Sequence, residues 1–351
     1  MRRLLEADMY RRQFLRPLAA APLLPALSRV AGGAQAPPEG KPATAYARPY
    51  LPDLNWPQLP PGLVLGAVCS VAYADGFVWL LQRGNPAVLC LDREGRVVKS
   101  WGAGQIQIGH HIRSDHEGHI WVADIGHHQV LKFTPEGRLI MALGKKDTPG
   151  AGTSQFNEPT DVAILPSGDL IVTDGYGNFR VMIFTAAGKL IHLWGVKGRE
   201  PNQFDTPHDV VVDVNGRIYI SDRGNSRIQV FDSDTKFIEE WREYGEVNGL
   251  AWGTEKSVGL PCGPEICGDG LGLWGTTGRG NEIFRIRSGS VLLESYGGPT
   301  STETEVQAGV VPPLGRFNVL HSVAVDEQMN LYVAEVRSRR VQRLIRQSAR
   351  A

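Results

Sequence analysis

The sequence predicts an all-β protein, a six-bladed β-propeller with four antiparallel strands in each blade. Three observations predict this fold class. One segment recurs along the chain, the recurring segments alternate apolar and polar residues, and Gly and Pro are frequent. With 41 Gly and 23 Pro among 351 residues, the composition is typical of many short strands joined by tight turns rather than of a helical bundle.

The recurring segment is clearest as "HDVVVDVNGRIYISDRGNSRIQVF", at residues 208–231. Its period-two alternation and its Val, Ile and Tyr content are typical of half-buried strands. Each copy reads as strand, turn, strand, short loop, strand and turn, often followed by a fourth strand. Four antiparallel strands in each unit form a blade rather than a solenoid coil, so the repetition predicts a propeller. The other copies lie at 68–91, 110–133, 160–184, 321–344 and, stretched by a Gly/Cys-rich insertion, from 248 onward.

The region before the repeats has a different character. The stretch "YRRQFLRPLAAAPLLPAL" places an Arg pair before a short apolar run that prolines interrupt, which is typical of a twin-arginine export signal. We therefore expect an export signal over 1–36, a linker over 37–48 and a single propeller over 49–351, located in the periplasm or outside the cell. The alternative is a disordered N-terminus with chance arginines. The apolar run is too short to span a bilayer.

Charge excludes some partners. Lys and Arg together number 37, as do Asp and Glu, so no net field favours nucleic acid or an anionic membrane. Four cysteines are too few for a disulfide scaffold. We expect Cys69 and Cys90 to be buried as small hydrophobic residues, whereas Cys262 and Cys267 could form a short disulfide in an exported protein.

Three histidines share one position of the repeat. They fall on alternate blades, which rotations of about 120° relate in a regular six-bladed ring. Three imidazoles that converge on the axis with an open fourth position are the ligand set of a catalytic zinc or a similar divalent metal, with iron as an alternative. The competing interpretation is a set of unrelated polar residues lining a watery channel. From blade one to blade six, the position is occupied by Val68, His110, Thr160, His208, Asn248 and His321.

The remaining histidines are expected to lie outside this site. In a regular strand, His111 points to the face opposite to that of His110. His192 is expected on an outer strand without a function. The others are expected in solvated turns or loops: His116, His119, His127 and His128.

A second position supplies two arginines and a tyrosine. Arg83 and Arg223 each lie seven residues after a turn glycine, and Tyr176 lies eight after one. Guanidinium groups bind carboxylates bidentately, which predicts an anionic substrate, and a tyrosine beside a metal can act as a general base. The alternative is that such loops only pack the blades. We assign that structural role to Asp174, Asn178, Arg180, Asn225 and Arg227.

These residues resemble a known family. The pieces "NEPTDVAILPSGDLIVTDGYGNFR", "QFDTPHDVVVDVNGRIYISDRGNSRIQVF" and "YLPDLNWPQLPPGLVLG" are similar to peptidyl-α-hydroxyglycine α-amidating lyases, whose blades are NHL repeats. The similarity covers residues from about 50 to 240 and returns at "VLHSVAVDEQMNLYVAE", but blade five matches poorly.

The resemblance implies a six-bladed propeller that cleaves a peptidyl-α-hydroxyglycine to a peptide amide and glyoxylate. It implies that His110, His208 and His321 bind a divalent metal, that Tyr176 is catalytic, and that two arginines bind substrate, Arg83 and Arg223. The family's structural calcium is doubtful here, because the Asp expected after the third histidine is Ser322.

Three functions remain open at this point. The first is a metal-dependent carbon–nitrogen lyase that acts, as a monomer, on a small peptide or amide with a carboxylate. The second is a non-catalytic NHL propeller that binds a protein partner. The third is a different metal-dependent lyase or hydrolase on the same scaffold, since a fold does not determine a function.

Overall fold

The six-bladed propeller is confirmed. The structure is a computed structural model that describes residues 50–253, 272–287, 289–297 and 311–347. The expected export signal, the linker and the Cys262–Cys267 pair lie outside these residues, and the boundaries of the propeller domain remain predictions. The described residues form six four-stranded antiparallel sheets. None of the described residues belongs to an apolar helix long enough to cross a membrane.

Each blade is a meander of four strands. Blade one contains β2 (Ala67–Ala74), β3 (Phe77–Arg83), β4 (Val88–Leu91) and β5 (Val97–Trp101). Blade two contains β6 (Gly109–Ser114), β7 (Ile120–Asp124), β8 (Gln129–Phe133) and β9 (Leu139–Leu143). Blade three contains β10 (Asp161–Ile164), β11 (Leu170–Asp174), β12 (Arg180–Phe184) and β13 (Leu190–Trp194).

The second half repeats this arrangement. Blade four contains β14 (Pro207–Val212), β15 (Ile218–Asp222), β16 (Arg227–Phe231) and β17 (Phe237–Trp241), with a short 3-10 helix at Arg223–Asn225. Blade five contains β18 (Val247–Trp252), β19 (Leu273–Thr277), β20 (Glu282–Arg287) and β21 (Val291–Gly297). Blade six contains β22 (Leu320–Val325), β23 (Leu331–Glu335) and β24 (Arg340–Arg346).

Blade six takes its fourth strand from the other end of the described chain. Strand β1 (Tyr50–Pro52) pairs antiparallel with β24, with Tyr50 opposite Arg346. This pairing closes the ring, because it joins residues nearly 300 positions apart in sequence. Repeat counting from the sequence did not reveal this exchange, since three residues are too short for a recognisable strand pattern.

Apolar side chains between the blades form the core. The buried residues fall into six hydrophobic clusters, and each cluster joins two neighbouring blades around the ring. Alternation along the strands places these side chains on both faces of each blade, where the next blade covers them. Cys69 and Cys90 belong to the cluster between blades one and two, as expected for small buried residues.

The closing strand should depend on one aromatic anchor. Tyr50 is buried, packs edge-on against Trp274, and donates its hydroxyl hydrogen to the Met329 carbonyl at 3.0 Å. We expect Tyr50→Ala to lower the free energy of unfolding by about 3 kcal/mol or more, since truncating a buried aromatic leaves a cavity. Urea denaturation measures the change.

The neighbouring residue in the same strand provides the control. Leu51 is 52% exposed, so Leu51→Ala should change stability by less than about 0.5 kcal/mol. Equal losses in the two variants would contradict the assignment of Tyr50 as the anchor.

Candidate active site

The innermost strand of most blades begins with a β-bulge. In five blades, one residue is skipped in the pairing of the innermost strand with the second strand. Thr160 holds the same place in blade three, directly before β10. A bulge leaves its extra residue unpaired and bends the strand, which can redirect a side chain. The skipped residues are Cys69, His110, His208, Asn248 and His321.

The sequence alignment of blade one was wrong by one residue. The bulge of β2 lies between Val68 and Ser70, so Cys69 rather than Val68 is equivalent to the three histidines. Counting back from the turn glycine failed because blade one has a two-residue hairpin turn between Ala74 and Phe77, whereas the corresponding turn of blade two spans five residues.

Three imidazole rings converge at the axis. The ring centroids of His110, His208 and His321 lie 4.7, 4.8 and 4.9 Å apart, and the rings meet edge to face. All three side chains are buried. One nitrogen from each ring lies within 4.8 Å of the other two, so the group could hold a metal ion.

Backbone carbonyls of the next blade orient each ring. The Nδ1 atoms lie 2.6 Å from the Thr160 oxygen for His110, 2.7 Å from the Asn248 oxygen for His208, and 2.7 Å from the Cys69 oxygen for His321. A carbonyl oxygen only accepts, so each Nδ1 carries the proton and donates it. Each neutral ring therefore has an unprotonated Nε2. Histidines that ligate metals are typically oriented in this way through their second nitrogen.

Burial keeps the cluster uncharged. It is the main cause that lowers the pKa of His110 and of His208 well below the ordinary value, and it lowers the pKa of His321 to about 3. The guanidinium of Arg223 lowers the pKa of His208 and His321 further, and that of Arg83 lowers the pKa of His110 and His321. Three neutral imidazoles next to one another are the protonation state that metal binding requires.

The Tyr176 hydroxyl lies directly at the cluster. Its oxygen is 3.0 Å from Nε2 of His110 and 3.1 Å from Nε2 of His208. The loop that holds Tyr176 is anchored by Arg180, which pairs with the buried Asp174 at 2.9 Å. Asn178 donates to the same carboxylate at 2.7 Å. The structural role expected for these three loop residues is therefore what the contacts show.

Arg223 contacts Tyr176 from the neighbouring blade. Its Nη1 lies 3.4 Å from the Tyr176 oxygen, and its guanidinium carbon is 5.3 Å from the centre of the ring. An equivalent loop contact anchors it, because Arg227 pairs with Asp222 at 2.8 Å and Asn225 donates to the same carboxylate at 2.8 Å.

Arg83 lies at the end of β3 in blade one and is exposed. Its Nε donates to the Gly109 carbonyl at 3.5 Å, next to His110. A cavity of about 180 Å³ opens beside it. The cavity is lined by Gln82, Arg83, Gly84, Ala87, Ile106, Gln107 and Gly109.

The expectation that His111 faces away from His110 was wrong. The two ring centroids are 6.1 Å apart, and the His111 ring is 6.4 Å from that of His321. The bulge at His110 breaks the alternation of the strand, so consecutive side chains lie on the same side. His192 lies on β13, the outermost strand of its blade, as expected.

Sequence reasoning missed a second layer of polar residues. Each follows the bulge position, or Thr160 in blade three, by one residue. The titratable members are His111, Asp161 and Asp209, which are buried and have one possible ligand atom each within 4.8 Å of the other two. Arg113 pairs with both carboxylates. The signal was present, because shifting the histidine alignment by one residue finds all three.

Comparisons with known proteins agree with this architecture. The family model for the NHL repeat matches residues 156–184 and 204–231, which contain most of blades three and four. The chain is a six-bladed β-propeller that contains NHL repeats. The solved structure titled "Streptogramin B lyase structure" superposes on this NHL propeller with a TM-score of 0.55 and 16% identity, covering 81% of this chain and 94% of that one. At this identity the likeness shows the fold alone.

Curated relatives confirm the resemblance to the amidating lyases. NHL repeat-containing protein 3 of Homo sapiens is 33% identical over 203 residues, which are 53% of this chain and 57% of that protein. A protein of Caenorhabditis elegans named probable peptidyl-alpha-hydroxyglycine alpha-amidating lyase is 35% identical over 154 residues, 42% of this chain and 44% of that protein. The NHL propeller thus spans about half the length of each relative.

Acid should destabilise the metal-free protein through the buried histidines. An unfolded histidine binds a proton below a pKa of about 6.5, whereas folded His321 stays neutral down to a pKa of about 3. The free energy of unfolding therefore has its full value above pH 6.5. As the pH drops below 6.5, it falls by up to about 1.4 kcal/mol per pH unit for each such histidine.

Urea denaturation in EDTA between pH 7.5 and 5.0 measures this slope. We expect His321→Gln to make the loss of stability with falling pH shallower. The exposed turn residue His116 provides the control, and His116→Gln should leave the slope unchanged. An unchanged slope in His321→Gln would contradict the assignment.

Proposed function

We propose that this NHL propeller is a metal-dependent carbon–nitrogen lyase that cleaves a peptidyl-α-hydroxyglycine, or a similar carbinolamide, to an amide and glyoxylate. The observation that carries the proposal is the Tyr176 hydroxyl, which lies 3.0 and 3.1 Å from the unprotonated nitrogens of two of the three converging histidines. A general base that serves a metal-bound substrate would have to lie at this position.

The three histidines fit a divalent metal. Their Nδ1 atoms are fully used by backbone carbonyls, so three neutral Nε2 donors remain for one ion. Zinc matches this donor set, with iron as the alternative. When bound, the metal would supply Lewis acidity to an oxygen of the substrate. A separate structural calcium remains doubtful, because Ser322 binds the Ser70 hydroxyl instead of offering a carboxylate.

Tyr176 would move the proton. Acting as the phenolate, its oxygen accepts the proton of the substrate hydroxyl, the carbonyl of glyoxylate forms, and the bond between carbon and the amide nitrogen breaks. The same oxygen returns the proton to the leaving nitrogen, so the two products together contain all atoms of the substrate. Arg223 donates to this oxygen at 3.4 Å, which stabilises negative charge there during the transfer.

The two arginines would bind the carboxylate end of the substrate. Arg83 and Arg223 approach the histidine cluster from different blades, and guanidinium groups recognise carboxylates through paired hydrogen bonds. The cavity beside Arg83 offers room for the part of the peptide that precedes the reacting residue. We propose that the protein acts as a monomer and is exported, with the N-terminal Arg pair as its signal.

The competing proposal is a non-catalytic propeller that binds a protein partner, because one relative is named only for its NHL repeats. The two proposals differ in metal content and in chemistry, so one experiment separates them.

The decisive measurement combines metal analysis with product detection. We expect purified protein to contain about one divalent metal per chain and to release glyoxylate from a synthetic α-hydroxyglycine peptide. His208→Ala should lose the metal and the activity, since two donors remain. His192→Ala, on an outer strand, is the control and should retain both. Protein without metal and without glyoxylate release would favour the non-catalytic alternative, and metal without glyoxylate would favour different chemistry.

Removal of the Tyr176 hydroxyl tests the assigned base. We expect Tyr176→Phe to lower kcat by about 10²- to 10⁴-fold, the usual contribution of a positioned proton-transfer group, with metal content unchanged. Tyr73 is half-buried and binds Glu327 away from the cluster, so Tyr73→Phe should retain kcat. A variant at Tyr176 with ordinary kcat would remove this residue from the mechanism.

A further inference from the structure

Two buried carboxylates lie in the layer next to the histidine cluster. Asp161 and Asp209 are fully buried and belong to blades three and four. Each follows a residue that matters to the cluster: Asp161 follows Thr160, whose carbonyl orients His110, and Asp209 follows His208 itself. Asp161 also accepts the backbone N–H of Val210 at 3.0 Å, which connects blade three to blade four.

A single guanidinium joins these carboxylates. Arg113 lies on β6 of blade two, three residues after His110. Its Nε and Nη2 donate to the two oxygens of Asp161 at 3.1 and 2.5 Å, and Nη2 also donates to Asp209 at 2.8 Å. Its Nη1 donates to the Leu250 carbonyl of blade five at 3.2 Å. One side chain thus bonds to three other blades.

Every contact of this guanidinium lies within two residues of a group that forms or orients the cluster. Asp161 is next to Thr160, which holds His110, and Asp209 is next to His208. Leu250 is two residues after Asn248, whose carbonyl holds the His208 ring. The contacts of Arg113 therefore connect the strand of His110 with the strand of His208 and with the carbonyls that orient both rings.

Such a buried ionic group is poorly explained by stability alone. The cost of taking charges out of water offsets most of their attraction, so apolar residues of similar volume are often as stabilising. The planar guanidinium instead fixes the positions of its partners, because its donors have fixed directions and hold several acceptors at set distances.

We propose that Arg113 is a positioning residue that sets the spacing and orientation of His110 and His208 for metal binding. The proposal rests on the metal site of the proposed function. The His110 and His208 rings are 4.7 Å apart, and the Arg113 contacts would maintain this spacing. His321, whose ring is held by the Cys69 carbonyl, does not depend on these contacts.

Titration of the metal-free protein with Co²⁺ tests the proposal. Co²⁺ substitutes for zinc, and its visible absorption reports the geometry of its ligands. We expect Arg113→Ala to weaken Co²⁺ binding by about 10- to 100-fold, as for other groups that orient ligands, and to change the absorption spectrum. Millimolar guanidinium should restore affinity and spectrum in this variant, whereas urea, which is similar in shape but uncharged, should not.

A second buried ion pair provides the matched control. Arg285 pairs with Glu294 at 2.8 Å on the outer strands of blade five. Arg285→Ala should lower stability but leave Co²⁺ affinity and absorption unchanged. Equal effects of the two variants on Co²⁺ binding would show that Arg113 acts through general stability and would overturn the proposal.

A variant without unpaired charges covers the case in which Arg113→Ala does not fold. The combination Arg113→Met, Asp161→Asn and Asp209→Asn removes the contacts and leaves no buried charge among these residues. We expect the same weakened Co²⁺ binding. Wild-type affinity and spectrum in this variant, or a wild-type protein that binds no Co²⁺, would overturn the proposal. Normal Co²⁺ binding without glyoxylate release would refute only the proposed lyase activity.

Discussion

The β-bulge at the start of the innermost strands is the constraint on which the site depends. Regular alternation would place His110 and His111 on opposite faces of β6, but the bulge brings both to the same side. The same irregularity recurs at His208 and His321. Because the blades repeat around an axis, this position brings three histidines together, and the next position brings His111, Asp161 and Asp209 together.

The orientation of each cluster histidine depends on a neighbouring blade. Each of the three cluster histidines is oriented by another blade, because its Nδ1 donates to a backbone carbonyl of the next one. The site therefore depends on ring closure, which three residues of β1 supply by pairing with β24. The stability of the propeller and the geometry of the cluster are therefore linked, since separating blade two from three, four from five, or six from one would release a ring nitrogen.

The curated relatives include proteins named for their repeats and proteins named for a lyase activity. The NHL repeat matches only blades three and four, which contain His208, Tyr176 and Arg223. One curated relative has a name that refers to repeats and another has a name that refers to a lyase, at similar identity. Sequence similarity at this level is consistent with either function. The contact between Tyr176 and two histidine nitrogens is the feature that favours catalysis, because it places a proton acceptor at the possible metal position.

Alignment of the repeats within the sequence was enough to predict the fold class and the three histidines of the cluster. Period-two alternation predicts the strands, six copies predict the propeller, and a shared position selects His110, His208 and His321. These inferences succeed because rotational symmetry converts equal positions in sequence into equal positions around an axis.

Other features were decided only by the tertiary structure. Pairing registers showed that Cys69 rather than Val68 belongs to the histidine position, since a shorter hairpin turn shifts the count. The placement of His111 likewise depends on the bulge of β6. Two further features depend on contacts between residues far apart in sequence: the bonds from Arg113 to blades three, four and five, and the pairing of β1 with β24. A repeat pattern records which residues are equivalent, but the distances between side chains of different blades arise only when the ring is closed.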